Sequence, residues 1–190
     1  MQRVTAIVGP TGVGKSTLAL RLAQDLHGEI ITADSRQIYR LMDIGTAKPT
    51  PHEQAVVAHH LIDIVFPNEA FDLATYLEIG YKAIDTIFSR GKLPILAGGS
   101  GLYVWALLEG WQIPKVLPDA DFRKRLEARA ARGESQNLFE ELKHLDPEAA
   151  GRIDSRNVRR VIRALEVNKN PDLSLRPPKI KPHEPKRKNG

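Results

Sequence analysis

Short apolar runs alternate with helical periodicity from the start of this chain to Gly110. "RVTAIVG", from Arg3, reads as a short buried strand, and "STLALRLAQDL", from Ser16, as a helix with Leu18, Leu22 and Leu26 on one face. "GEIITA" from Gly28 predicts a second strand, "HHLIDIV" from His59 a third and "KLPILAGG" from Lys92 a fourth. Between the last two, "DLATYLEIGYKAIDTIFSRG" predicts a helix capped by Asp72 and closed by Gly91. A further helix follows "GGSG", with Trp105 placed to pack in it. Strands alternating with helices imply an α/β fold, a parallel sheet with helices on both faces.

Beyond Gly110 the strand signals stop. "DADFRKRLEARAARG", "ESQNLFEELKHL" and "DSRNVRRVIRALEV" each read as helices, the last capped by Asp154 or Ser155. In that last helix Arg156, Arg159, Arg160 and Arg163 fall at i, i+3, i+4 and i+7, while Val158, Val161, Ile162 and Leu165 repeat the spacing on the opposite face. Residues 168–190 hold five prolines in 23 positions and few large apolar groups, so this tail is expected to be disordered. The organisation expected is therefore an α/β core over 1–110, a helical insertion over 111–167 and a basic tail over 168–190.

Composition narrows the classes. No run approaches a membrane span, the first residues do not read as a signal peptide, and cysteine is absent, which excludes disulfides and thiolate metal sites. A soluble, cytoplasmic, monomeric protein is the expectation. The net charge of +5 sits entirely in the tail, which holds seven Lys/Arg against two acids. Any surface for a polyanion thus belongs to the later part of the chain, and the arginine face is its candidate. On that helix only Glu166 has a suitable offset, and one carboxylate does not satisfy four guanidinium groups, so RNA phosphate is the better partner.

The densest chemistry lies earlier. "GPTGVGKS", Gly9 to Ser16, fits the G-x-x-x-x-G-K-[ST] phosphate loop, with an apolar strand before it and a helix after it. Across Gly9, Pro10, Thr11, Gly12, Val13 and Gly14 the backbone can turn its N–H groups inward around phosphate oxygens. Lys15 adds an ammonium, Ser16 a hydroxyl for Mg²⁺, and Thr17 continues the helix start. NTPases of this type add a carboxylate at the end of another strand. Here "LPILAGGSG" ends in glycines, and Asp63 is a weak substitute. Asp34, leaving the second strand in "ITADSRQIYR", should project into the crevice beside the loop. From spacing alone it is equally a general base, a turn cap or a partner to the waters of a bound Mg²⁺. Tandem His59–His60 reads as packing beside the third strand, and Trp111 as a residue able to stack on a base.

Five motifs occur in an order that resembles the tRNA dimethylallyltransferases, also called tRNA isopentenyltransferases. They are "GPTGVGKST", "ADSRQIYRLMDIGTAKP" from Ala33, "HHLIDI" from His59, "GGSGLY" from Gly98 and "RRVIRALEV" from Arg159. The resemblance runs from Arg3 to about Val167 and implies a P-loop NTPase-like core with a helical insertion. It implies transfer of a dimethylallyl group from dimethylallyl diphosphate to N6 of the adenosine following the anticodon in tRNA. The phosphate loop then holds diphosphate with Mg²⁺, and Lys15, Ser16 and the loop amides stabilise the leaving group. Asp34 takes the N6 proton; Ser35, Arg36 and Gln37 line the path of the flipped base. Ser100 stands where the family has threonine, as a contact near the tRNA, and Arg159, Arg160, Val161, Ile162 and Arg163 form a segment that contacts tRNA.

The chain departs from this family after Val167, where members return to the core with another strand and a diphosphate-gripping arginine. The expectation is weak tRNA binding and poor transfer, with a tail that proteases cut before the core. Other readings are a prenyltransferase acting on free adenine nucleotides, a small-molecule kinase, and a non-enzymatic RNA-binding fragment.

Overall fold

The computed structural model describes residues 3–111, 113 and 118–169. The expected tail therefore lies outside the described residues, apart from Asn168 and Lys169. Two compact units divide at Trp111 and Gln112. No helix among the described residues is long and apolar enough to cross a membrane.

In the first unit, β1 (Thr5–Val8) leads through a glycine loop into α1 (Lys15–Asp25) and then β2 (Gly28–Thr32). A short α2 (Pro51–Val56) precedes β3 (His59–His60). The long α3 (Leu73–Ser89) then feeds β4 (Leu93–Gly98), which runs into α4 (Gly101–Leu108). The four strands are all parallel, in the order β1-β4-β2-β3. Ile30 pairs with Ile95 and Ile31 with Leu96, so successive apolar pairs alternate between the faces of the sheet. Ala19 and Ala23 of α1 pack on Ile30 and Ile95, and α3 lies against the sheet, with the Tyr76 hydroxyl donating to the Thr32 carbonyl at 3.2 Å. Asp72 caps α3 by accepting from the Thr75 N–H at 2.8 Å, and Gly91 closes it in the left-handed region at φ 70°.

Three expectations change. The buried stripe of α1 is Ala19 and Ala23, while Leu18 and Leu26 are half exposed, because only small residues let this helix approach β2 and β4 closely. The third strand shrinks to two residues, since Leu61 and Asp63 take positive φ of 61° and 53° and leave the extended region. The chain then pairs elsewhere: Asp63, Ile64 and Val65 donate to the carbonyls of Gln37 and Ile38, and Arg40 donates to that of Val65. Trp105 does lie on α4, but with its ring half exposed rather than packed. Of the helices the periodicity did not announce, α2 carries a full capping box between Thr50 and Glu53, with Pro51 at the first turn.

The second unit is helical. α5 (Ala120–Arg129) and α6 (Ser135–Leu145) join through a π-type turn, Ala130–Glu134, that kinks at Gly133 (φ 91°). α7 (Pro147–Arg152), a second helix missed by periodicity, is capped by Asp146. α8 (Val158–Asn168) packs Val161, Ile162 and Leu165 on Leu126, Leu138 and Leu142. Its cap is Asn157, whose side chain accepts from the Arg160 N–H at 3.2 Å, not Asp154 or Ser155.

Candidate functional site

The carboxyl ends of the parallel strands open on a cavity of about 260 Å³, the place where open α/β sheets bind ligands. Thr11, Gly12, Gly14, Lys15, Ser16 and Thr17 form one side. Gly12 and Gly14 sit at φ 86° and 82°, where a side chain would be strained, and this turns the loop backbone toward the start of α1. The Lys15 ammonium folds back over the loop and donates to the Pro10 carbonyl at 2.5 Å. Val13 is largely exposed, and Gly9, Pro10 and Val13 are not part of the cavity lining.

Across the cavity, Asp34 follows β2. Its Oδ1 accepts from the Arg36 N–H at 2.9 Å, so the carboxylate does cap its own turn, while Oδ2 has no hydrogen-bond partner among the described residues. The two functions are compatible in one side chain. The glycines ending β4 have a steric role. A Cβ on Gly98 would lie 2.1 Å from the Ala33 carbonyl oxygen, so the strand ends meet backbone to backbone beside Asp34. The Ser100 N–H donates to that same carbonyl at 3.0 Å, while its side chain makes no cap at the start of α4. Ser35 and Arg36 are exposed; Gln37 is buried, and its amide nitrogen donates to the carbonyls of Thr46 and Ala47, both at 3.0 Å.

The remaining wall contains residues to which the sequence assigned no chemistry: Thr46, Ala47, Pro49, Glu53 and His59. Glu53 is held by its capping box, and His59 places Nδ1 2.8 Å from the Val57 carbonyl. Burial, the leading influence, lowers the His59 pKa from its ordinary value. Asp63 is not a cavity carboxylate; Lys48 holds it at 2.7 Å. Lys48 is raised in pKa: burial works against its charge, and hydrogen bonds to Asp43 and Asp63 more than offset that. The "DIGTAK" stretch was the signal for this wall, but motif reading gave no reason for any one residue in it.

Among the described residues no three acidic or histidine side chains converge on a metal site. The hard donors at the loop are the hydroxyls of Thr11, Ser16 and Thr17. That set suits Mg²⁺ carried on substrate phosphates with its own waters, not an all-protein cage.

In the second unit the arginine face is smaller than its periodicity implies. Arg156 precedes α8 and pairs with Asp154 at 2.7 Å. Arg163 pairs with Glu166, which is 1% exposed and also holds Arg123 at 2.7 Å. Arg159 and Arg160 are exposed and carry no ion pair among the described residues. Val161 and Ile162 put their side chains in the core, so only their backbone could reach a ligand.

The family model described as "IPP transferase" matches residues 37–188. A tRNA dimethylallyltransferase from Roseiflexus sp. (strain RS-1) is 57% identical over 162 residues, 85% of this chain and 53% of that protein. One from Dehalococcoides mccartyi is 50% identical over 161 residues, 85% of this chain and 50% of its own length. The chain thus spans about half the length of the curated relatives it matches. Among solved structures, the tRNA isopentenylpyrophosphate transferase of Bacillus halodurans is 46% identical with a TM-score of 0.59, over 89% of this chain and 56% of that one. A eukaryotic dimethylallyltransferase solved acting on tRNA is 30% identical with a TM-score of 0.78, over 96% of this chain and 46% of that one.

Proposed function

The chain belongs to the IPP transferase family, with a P-loop NTPase-like parallel sheet, and on that premise we propose that its cavity brings dimethylallyl diphosphate to an adenosine of tRNA and transfers the dimethylallyl group to N6. The observation that carries this reading is the opposition, within one cavity, of a lysine-bearing glycine loop and the Asp34 carboxylate, with glycines where an NTPase keeps its metal-binding carboxylate.

The loop amides, Lys15 and the start of α1 hold the diphosphate, whose charge grows as it leaves. Ser16 would hold Mg²⁺, which when bound neutralises part of that charge. The adenine amine forms its bond to the allylic carbon as the carbon–oxygen bond to diphosphate breaks. Its proton passes to the free oxygen of Asp34, whose other oxygen keeps the carboxylate oriented through Arg36 N–H. The base must leave its stack to reach the cavity, and Ser35 and Arg36 lie exposed beside that route. Arg159 and Arg160 supply phosphate contacts from the helical unit. ATP has no required part in this chemistry.

Isothermal titration with dimethylallyl diphosphate tests the loop assignment. Lys15→Ala should remove most of the binding heat while leaving the circular dichroism spectrum unchanged. Equal affinity in variant and parent, or phosphoryl transfer from labelled ATP by the parent, contradicts the proposal.

A further inference from the structure

Outside the glycine loop, the cavity lining includes Ala19 and Leu20 of α1, Ile30 of β2 and Ala97 of β4, four residues of one packed core. Ala47 and Pro49 line it too, but they lie in the connection between β2 and α2, in no helix or strand. Ala47 takes a positive φ of 49°, a conformation that persists in such a residue only when its surroundings fix it. Side chains supply that hold. Gln37 donates to the carbonyls of Thr46 and Ala47, both at 3.0 Å, and Gln54 to that of Pro49 at 2.9 Å.

Between Ala47 and Pro49 sits Lys48, whose side chain is 5% exposed and is not part of the lining. Its ammonium donates to the Tyr39 carbonyl at 3.0 Å, to Asp43 at 2.6 Å and to Asp63 at 2.7 Å, which uses every N–H it carries. The stretches around Tyr39 and Asp63 are already joined through their backbones, since the Asp63 N–H donates to the Gln37 carbonyl and the Arg40 N–H to that of Val65. The ammonium therefore ties this part of the wall to a fixed frame. With it gone, the two carboxylates have no common partner, and the residues on either side of Lys48 lose their tie to Tyr39 and Asp63.

We propose that Lys48 is a positioning residue for the prenyl donor: its three bonds fix Ala47 and Pro49 as the wall against which the donor's apolar tail lies. This rests on the reading of the cavity as the site of an allylic diphosphate. The loop amides and Lys15 hold the diphosphate end, and by themselves they do not aim the allylic carbon. A fixed wall beside the tail supplies that aim, and reaction rates are sensitive to displacements of about 1 Å. Lys48 touches neither the donor nor the reacting atoms; it acts through its two neighbours in the chain.

The test is isothermal titration of the full chain with dimethylallyl diphosphate and, separately, with methyl diphosphate. The two carry the same phosphate charges, so the ratio of their affinities reads the contribution of the tail. The parent should bind the dimethylallyl compound more tightly. Lys48→Met, which keeps the apolar stem of the side chain, should lower that ratio about tenfold, the worth of about two methylene groups released from burial. The affinity for methyl diphosphate should hold. If Lys48→Met fails to fold by circular dichroism, Asp43→Ala, at a partner that is itself exposed, replaces it and should lower the ratio by a smaller factor. In whichever variant is used, an unchanged ratio, including one kept because both affinities fall together, overturns the role of Lys48 and leaves the cavity reading intact. A parent that binds the two compounds equally overturns the apolar wall. A parent that binds neither overturns the cavity reading, and this inference with it.

Discussion

Asp34 carries two demands on one carboxylate. Its Oδ1 is committed to the Arg36 N–H, while Oδ2 has no hydrogen-bond partner among the described residues and is the oxygen proposed to accept the proton. An amide in its place keeps the turn bond but loses the basic oxygen. Asp34→Asn should therefore preserve RNA binding and slow transfer by about 10²–10⁴-fold, measured in single-turnover reactions with labelled dimethylallyl diphosphate. A near-parental rate would leave Asp34 as a turn cap alone. The sequence made Asp34 a candidate because it follows an apolar strand in a parallel sheet, a position defined by topology. Lys48 and Gln37 were illegible as braces for the opposite reason. Their partners are backbone carbonyls and carboxylates brought close by the positive-φ turns at Leu41, Leu61 and Asp63, and no spacing rule encodes such turns.

At the scale of elements, parallel strands are tied by charge as well as by ladders. Glu29 on β2 is 1% exposed and meets His60 of β3 at 2.6 Å, Lys92 at 2.8 Å and Arg90 at 3.2 Å. Burial pushes its pKa up, yet hydrogen bonds from Lys92 and His60 outweigh this and hold it at about 2, against an ordinary 4.5. A carboxyl depressed on folding contributes stability that is complete above its unfolded value and lost as pH falls toward its folded one. The urea midpoint of the parent should consequently drop between pH 4.5 and 2. Glu29→Gln should start lower at neutral pH and fall less steeply over that window, and parallel curves would contradict the assignment. In the helical unit, the two exposed arginines of α8 make a similarly specific claim. Arg159→Gln with Arg160→Gln should weaken tRNA binding and lower the salt slope by about 2, because each arginine that neutralises a phosphate releases about one counterion. Periodicity found the buried stripe of this helix correctly. It overcounted the cations because Arg156 precedes α8 and pairs with Asp154, and Arg163 pairs with the buried Glu166, which Arg123 of α5 also holds.

For the whole molecule, the proposed division of labour follows the two compact units. The α/β unit holds the cavity, and the helical unit offers its arginines. The alternation of strands and helices was legible because β1, β2 and β4 each carry a short apolar run, Ala6–Val8, Ile30–Ile31 and Ile95–Ala97, between helical stretches. α2 and α7 were not, being six residues each and announced only by their caps. The central claim is that one cavity couples a diphosphate-holding loop to a base that accepts the N6 proton. Its most direct test is incubation of the chain with labelled dimethylallyl diphosphate and unmodified tRNA, followed by digestion to nucleosides. The account predicts label on N6 of adenosine 3′ to the anticodon, none on added AMP, and none when Lys15→Ala replaces the parent. Label on AMP in preference to tRNA, or equal labelling by Lys15→Ala, would contradict it.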